Sequence, residues 1–238
     1  MEVAPHRAAA STLQATPVVL VQDVFKIYAS RGAETVALRG ASLHVDQGEF
    51  VALLGRSGSG KSTLLQLIAG LDTPSAGQVY LEEQNIGILN EEERAQLRQR
   101  IVGIVLQRDN LIPYLSALEN VALPLRLMGR ADVTKRATAL LRRVGLGHRL
   151  RHRAGQLSGG EAQRVGFAIA LAAQPHILLA DEVTGELDSE TAADILELLA
   201  DLHQNERLSL LVVTHDYAVA RNAQRVLVMR DGVVEPYV

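Results

Sequence analysis

Residues 55–63 have the sequence GRSGSGKST, and they follow the almost entirely apolar run EFVALLG at 49–55. A short apolar run of this kind is typical of a strand that is buried on both faces. After the lysine, apolar residues recur at helical spacing from Leu64 to Leu71. A strand, a glycine-rich turn ending in glycine-lysine-serine and an amphipathic helix together are typical of a phosphate-binding loop.

The residue types of this loop suit phosphate chemistry. Glycines allow backbone N–H groups to approach a phosphate, and the helix N-terminus adds a favourable dipole. We expect Lys61 to neutralise β- and γ-phosphate oxygens and the Ser62 hydroxyl to bind Mg²⁺. The alternative, an ordinary surface turn, leaves the buried strand unexplained. The expected nucleotide-binding residues of the loop are Gly55, Arg56, Ser57, Gly58, Ser59, Gly60, Lys61, Ser62 and Thr63.

A second apolar run ends on two acidic residues. The sequence ILLAD at 177–181 places Asp181 at the C-terminal end of a predicted strand, and Glu182 follows it. Ligands of open parallel sheets bind at that edge. We expect Asp181 to hold Mg²⁺ and Glu182 to act as general base toward the attacking water. Alone, this pair would favour a helix N-cap with a solvated acid.

Strands alternate with helices along most of the chain, which indicates an α/β fold with a parallel sheet. An antiparallel pair is predicted at 18–28 and 36–45, and a C-terminal hairpin turns at Asp231 and Gly232. Between about 108 and 165 the pattern is helical. The sequence therefore predicts a P-loop NTPase (RecA-like) core with a parallel sheet, an antiparallel β subdomain and an inserted α-helical subdomain.

Composition limits the function classes. The 238 residues carry a net charge of −3, which gives no electrostatic case for nucleic-acid binding, and the absence of cysteine excludes disulfides and zinc–thiolate sites. No apolar run reaches the roughly 20 residues that span a bilayer, so any membrane association is expected to be peripheral. Residues 1–16 are expected to be a flexible extension and 17–238 one domain, with its helical subdomain at about 108–165.

Residues 157–164, LSGGEAQR, form a second candidate for phosphate contact. Ser158 and Glu161 match a capping box, so we expect Ser158 to be the N-cap of a helix. Gly159 and Gly160 leave backbone N–H groups open to an anion. The segment has no lysine, so it should hold a nucleotide only weakly by itself. Considered alone, an ordinary helix start would be the favoured interpretation.

The ordered set of motifs resembles the ATP-binding cassette (ABC) ATPases from about residue 18 to 235. The motifs are, in order, Tyr28 in KIY, the phosphate loop at 55–63, Gln107 at the end of a predicted strand, LSGG at 157–160, LLADE at 178–182, ELD at 186–188 and THD at 214–216. The segment 110–129 is similar to the branch that contains lipoprotein-release and macrolide-export ATPases.

This resemblance implies that two chains pair head to tail, with each ATP between the phosphate loop of one chain and the signature of the other. The signature residues expected to contact the ATP of the partner are Ser158, Gly159, Gly160 and Glu161. The resemblance also implies that Tyr28 stacks on adenine and that Gln107 senses Mg²⁺ and the lytic water. His215 would contact the γ-phosphate, and Asp188 would lie at the dimer interface.

The implied protein is a Mg-ATP hydrolase that acts as a homodimer with a separate multi-span permease. It would work at the cytoplasmic face of the plasma (inner) membrane and drive export or extraction. A mechanical or regulatory ABC ATPase acting on an envelope partner is the alternative. DNA-repair and translation types are disfavoured, because they usually carry long coiled-coil insertions or two cassettes in one chain.

An apolar stretch after Gln107 is a candidate groove for a short cytoplasmic helix of the permease. Its residues are Leu111, Ile112, Tyr114 and Leu115. Internal packing of the helical subdomain is an equally good explanation for each of them singly.

Three positions depart from the family pattern. Val183 stands where the family usually has proline, Ile169 where it usually has arginine, and Asp109 where this branch often has an aromatic residue. Since none removes a group from the chemistry, we still expect hydrolysis, and both normal and slow turnover are compatible with these departures.

Overall fold

A mixed sheet of six strands forms the centre of the computed structural model, which describes residues 17–30 and 33–237. The extension predicted for 1–16 therefore lies outside the described residues. The strand order is β10-β9-β3-β8-β7-β6, and β9, β3, β8, β7 and β6 are parallel. The strands are β3 (Phe50–Gly55), β6 (Val102–Val105), β7 (Ile177–Asp181), β8 (Ser209–Thr214), β9 (Arg225–Arg230) and β10 (Val233–Pro236). Every residue of β8 is buried, which explains its continuous apolar sequence.

A second, antiparallel sheet packs beside the first with the order β2-β1-β4-β5. Its strands are β1 (Pro17–Ser30), β2 (Ala33–Asp46), β4 (Ala76–Leu81) and β5 (Gln84–Asn85). The predicted antiparallel pair is confirmed, with Leu20 opposite His44 and Tyr28 opposite Thr35. The hairpin of β9 and β10 also turns at the predicted residues, which both have positive φ, as a type I′ turn requires.

Seven α-helices complete the described part of the chain. They are α1 (Lys61–Ile68), α2 (Glu91–Ile101), α3 (Ala117–Leu127), α4 (Val133–Arg143), α5 (Gly159–Ala170), α6 (Ser189–Glu206) and α7 (Tyr217–Ala220). Helices α3, α4 and α5 all lie between β6 and β7 in sequence and pack on one another. Capping boxes begin three helices, at Asn90, Ser116 and Ser158, so local chemistry sets these boundaries. The α/β fold predicted from the sequence is confirmed.

Two large apolar clusters hold the elements in place. One joins the antiparallel sheet, α1 and α2 to one face of the central sheet, and the other joins α3 to α6 to the opposite face. The carboxyl ends of β3, β7 and β8 then meet at one edge, where Gly55, Asp181 and Thr214 end their strands. None of the helices within 17–30 and 33–237 combines the length and apolar content required to cross a bilayer.

Candidate functional site

The loop between β3 and α1 has a shape that only glycine permits at its last position. Gly60 precedes α1 with φ 107°, and a Cβ there would lie 2.6 Å from the carbonyl oxygen of Ala37. No side chain caps the helix, so its first N–H groups have no side-chain partner. The backbone therefore presents an open helix N-terminus, which is favourable for an anion.

Lys61 is buried to 6 % exposure, and its ammonium group turns back into the loop. The Nζ atom donates to the carbonyl oxygens of Gly55 at 2.7 Å and Arg56 at 3.1 Å. It also lies 3.4 Å from the Oε1 atom of Glu182. The positive charge of Lys61 thus lies within the loop, next to Glu182, the carboxylate that the sequence assigns to general-base chemistry.

Glu182 joins the phosphate loop to the end of β8. Its Oε2 atom lies 2.8 Å from Nδ1 of His215, 3.2 Å from the backbone N of His215 and 3.3 Å from the Thr214 hydroxyl. Since a carboxylate oxygen accepts, this contact assigns the ring proton to Nδ1. The structure therefore brings together Lys61, Glu182 and His215, which are far apart in the sequence.

Asp181 is the buried acid beside this group. Burial raises the pKa of its carboxyl group, the Ser62 hydroxyl lowers it by a hydrogen bond, and the charge of Glu182 raises it further. The Oδ1 atom is buried and has no hydrogen-bond partner among the described residues. A buried carboxylate oxygen without a partner, next to a serine hydroxyl, is the donor set that Mg²⁺ prefers. The residues therefore fit the expected Mg²⁺.

Tyr28 lies on β1, and its side chain contacts the segment that follows α1. Its hydroxyl donates to Oδ2 of Asp72 at 3.0 Å, and the ammonium group of Lys26 lies 4.9 Å from the centre of the ring. Burial and Asp72 raise the pKa of Tyr28, while the nearby Thr63 lowers it. Tyr28 remains 39 % exposed. This position suits stacking against a base whose phosphates occupy the loop.

Gln107 lies two residues beyond β6, not at the end of a strand as the sequence predicted. Its Nε2 atom donates to Oε1 of Glu186 at 3.0 Å. Among the hydrogen bonds of the described residues, none joins Gln107 to Ser62 or Asp181. The sequence-based prediction did not assign a role to Glu186, because nothing local connects two residues that are 79 positions apart.

The signature segment begins α5 as the capping box predicts. The Ser158 hydroxyl accepts from the backbone N of Glu161 at 3.2 Å, and Glu161 accepts from the backbone N of Ser158 at 2.9 Å. Arg149 donates to the other carboxylate oxygen at 2.8 Å. The hydrogen bond from Ser158, more than Arg149, lowers the pKa of Glu161.

The two signature glycines have different surroundings. A Cβ at Gly160 would lie 2.0 Å from Cγ2 of Thr191, so glycine is needed there for the contact of α5 with α6. A Cβ at Gly159 would meet only Leu187, at 3.7 Å, and Gly159 is exposed. Packing within the chain thus explains Gly160 but not Gly159, and Gly159 is the glycine that stays open to an external ligand.

A cavity of about 350 Å³ lies between the loop after β6, the start of α5 and the loop after β7. Its lining includes Gln107, Gly159, Glu182 and Glu186. Residues from three separate motifs therefore face one space.

Asp188, Val183 and Ile169 make contacts within the chain that stabilise its fold. Asp188 is exposed and caps α6, where it accepts from the backbone N atoms of Glu190 and Thr191. Val183 is 2 % exposed and packs in the cluster around α3 to α6, and Ile169 packs against the same cluster. Valine and isoleucine thus stabilise the core at these positions.

The loop 107–116 is held in place by Asn120, a residue that the sequence analysis did not single out. Asn120 is 3 % exposed, accepts from the backbone N of Ile112 and donates to the carbonyl oxygens of Ile112, Leu115 and Ser116. Tyr114 is 73 % exposed, whereas Leu111 packs on the core. Asp109 has φ 60°, a conformation that aspartate adopts more readily than an aromatic residue.

A buried strand, a glycine loop with an inward lysine and an acidic pair at the neighbouring strand end define a P-loop NTPase. The family model described as "ABC transporter" matches residues 38–185, and the chain belongs to this family. It is an ATP-binding subunit of the ABC transporter class, and its activity is ATP hydrolysis.

Relatives of known name agree with this assignment. The lipoprotein-releasing system ATP-binding protein LolD of Acinetobacter baylyi is 49% identical over 90% of this chain and 96% of its own length. The macrolide export ATP-binding/permease protein MacB of Syntrophobacter fumaroxidans is 44% identical over 91% of this chain and 31% of its own length. The dimeric post-hydrolysis structure of the cassette MJ0796 bound to ADP and Pi is 41% identical, with a TM-score of 0.86 over 91% of this chain and 96% of that one.

Proposed function

We propose that two copies of this chain pair head to tail and hydrolyse ATP between the phosphate loop of one copy and the signature of the other. The observation that carries the proposal is that the two sites offer different groups to a phosphate. Lys61 stands in the phosphate loop, whereas the signature offers open backbone at Gly159 and only a carboxylate, Glu161, in its first turn. The similarity to MJ0796, whose structure is described as dimeric, supports this arrangement.

Mg²⁺ would be held by Ser62, Asp181 and Gln107. When bound, it supplies positive charge that neutralises the phosphate oxygens. Lys61 binds the β- and γ-phosphates, and Tyr28 stacks on the adenine. In the described contacts Lys61 is paired with Glu182. A bound triphosphate competes for Lys61 and so releases Glu182 to take a proton from the attacking water, while His215 keeps the carboxylate in place and contacts the γ-phosphate.

We further propose that the energy drives extraction or release of lipoproteins from the membrane by a separate multi-span permease at the cytoplasmic face of the inner membrane. The match to LolD, over nearly the whole of that protein, supports the version with a separate permease. The exposed Tyr114 and its neighbours are the proposed contact for a cytoplasmic helix of the permease. Charge substitution at Tyr114 should then uncouple the permease from ATP hydrolysis and leave the basal rate of the isolated subunit intact.

The test of the dimer mechanism is Glu182→Gln. This variant keeps the shape of the site but lacks the base, so ATP should accumulate in closed dimers while turnover falls close to zero. Light scattering with saturating ATP measures the dimer, and phosphate release measures turnover. Glu235→Gln, on an exposed hairpin strand, is the matched control and should behave like the parent protein. A Glu182→Gln protein that stays monomeric with ATP and permease would contradict the head-to-tail mechanism.

A further inference from the structure

Glu186 lies in the loop after β7, four residues beyond Glu182, and accepts hydrogen bonds from two side chains. Gln107 donates to its Oε1 atom at 3.0 Å. The guanidinium group of Arg108 donates to both carboxylate oxygens, with Nε at 2.8 and 2.7 Å. We propose that Gln107, Arg108 and Glu186 form a clasp that withholds the Gln107 amide from the nucleotide site until two chains close on ATP.

The clasp fixes the orientation of the Gln107 side chain through its amide nitrogen, whereas Mg²⁺ would bind the amide oxygen. While the nitrogen donates to Glu186, the side chain cannot turn freely to bring the amide oxygen to Ser62 and Asp181, the other proposed Mg²⁺ residues. Gln107, Glu182 and Glu186 line the same cavity of about 350 Å³, so release of the amide requires only a local rearrangement. This inference rests on the proposed function, because it assumes that Gln107 acts at the Mg²⁺ and the water.

Arg108 is a positioning residue in this arrangement. A guanidinium group that contacts both oxygens of a carboxylate fixes its direction as well as its charge. Arg108 therefore holds the Glu186 carboxylate where the Gln107 amide can reach it. Hydrogen bonds from Arg108 lower the pKa of Glu186, so the acid remains ionised near neutral pH.

Exposure makes the clasp easy to open. The side chain of Arg108 is 71% exposed and that of Glu186 is 39% exposed. Ion pairs in such positions contribute little to stability, because water competes for both charges. A surface pressed against the loop around Asp188 by a second chain can therefore displace Glu186 and free Gln107.

The backbone of Leu106, the residue before Gln107, is hydrogen-bonded to the signature helix α5. The clasp therefore begins next to a residue whose position is fixed. Asn110 exchanges two hydrogen bonds with the backbone of Leu106, at 2.7 and 2.8 Å. Gln163 of α5 also donates to the Leu106 carbonyl oxygen, at 3.1 Å. Because Leu106 is held to α5 while Gln107 is held to Glu186, movement of the signature helix relative to the loop after β7 strains the Gln107 contact.

The test compares basal ATP hydrolysis of the full chain with and without the clasp. Glu186→Ala should raise the rate about two- to fivefold, because the Gln107 amide is free in every molecule. Arg108→Glu should do the same. The swap of both charges, Arg108→Glu with Glu186→Arg, should restore the low rate, since the Gln107 amide oxygen can accept from the relocated guanidinium group. Glu235→Ala removes another exposed ion-pair acid, the partner of Arg230, and should leave the rate and the hydrogen exchange unchanged.

Hydrogen exchange of residues 106–110 separates the clasp from the role of Gln107. Faster exchange and a higher rate in Glu186→Ala, both reversed by the charge swap, support the proposal. Unchanged exchange overturns the clasp itself. Faster exchange with an unchanged rate overturns its link to catalysis through Gln107, while the dimer test with Glu182→Gln remains an independent measure of the proposed function.

Discussion

The N-termini of α1 and α5 are both assigned to phosphate contact, but the chain prepares them differently. Helix α1 begins after Gly60 without any side-chain cap and carries Lys61 in its first position. Helix α5 begins after Ser158, whose hydroxyl already occupies one N–H group, and carries the acidic Glu161 in its first turn. The first terminus is complete as an anion site, and the second is partly satisfied. A site of the second kind is useful only when another molecule delivers the anion already bound.

The largest effect should come from Lys61→Ala. This change removes the cation of the complete terminus, and we expect ATP turnover to fall about 100-fold or more, with weaker ATP binding by the single chain. Nucleotide titration and phosphate release measure the two effects. An Arg94→Ala variant on α2 is the control for loss of an ion-paired cation outside the loop. If the lysine variant kept normal affinity, the signature terminus would have to be the primary binding site.

Gly159→Ala tests the incomplete terminus. A methyl group has room within the chain, so the fold and ATP binding by the single chain should not change. The same methyl group would lie against the nucleotide of the partner, and we expect turnover to fall about 10-fold or more because closure is impaired. Binding and turnover measured together give the contrast with Lys61→Ala. Equal losses in both quantities would remove the distinction between the two termini.

Gly160→Ala should act on stability instead. The added Cβ would stand 2.0 Å from Cγ2 of Thr191, so α5 and α6 must separate. Overpacking of this kind typically lowers the free energy of unfolding by about 1–3 kcal/mol. Thermal or urea unfolding measures the change. Thr191→Ser removes the clashing methyl group and keeps the hydroxyl, so the double variant should recover most of the loss.

Ser158→Ala should have the smallest effect on stability. Loss of one N-cap lowers the free energy of unfolding by about 1 kcal/mol. The same change at Ser116, the matched cap of α3, should cost a similar amount and leave turnover unchanged. Unfolding and turnover of both variants, with ATP in excess, give the comparison. A turnover loss confined to Ser158→Ala would show that this cap also serves the nucleotide.

Local patterns were sufficient for much of the molecule. The glycine loop, the capping boxes and the buried strands depend on residues only a few positions apart, so the sequence predicted them correctly. The placement of Gln107 at a strand end was wrong, because β6 stops at Val105 where the loop turns toward Glu186. Asn120 gave no signal either, since its role is to bind backbone atoms of a loop whose shape is set by the packing of α3.

The sequence by itself determined the class of site: where the glycine loop lies, which strand end carries the acids and where α5 begins. The reason is that each depends on residue type and short spacing. Only the tertiary structure decided that Gly160 serves helix packing while Gly159 stays open, and that Glu186 receives Gln107 and Arg108. These facts depend on distances between segments brought together by the two sheets, and no local pattern encodes those distances.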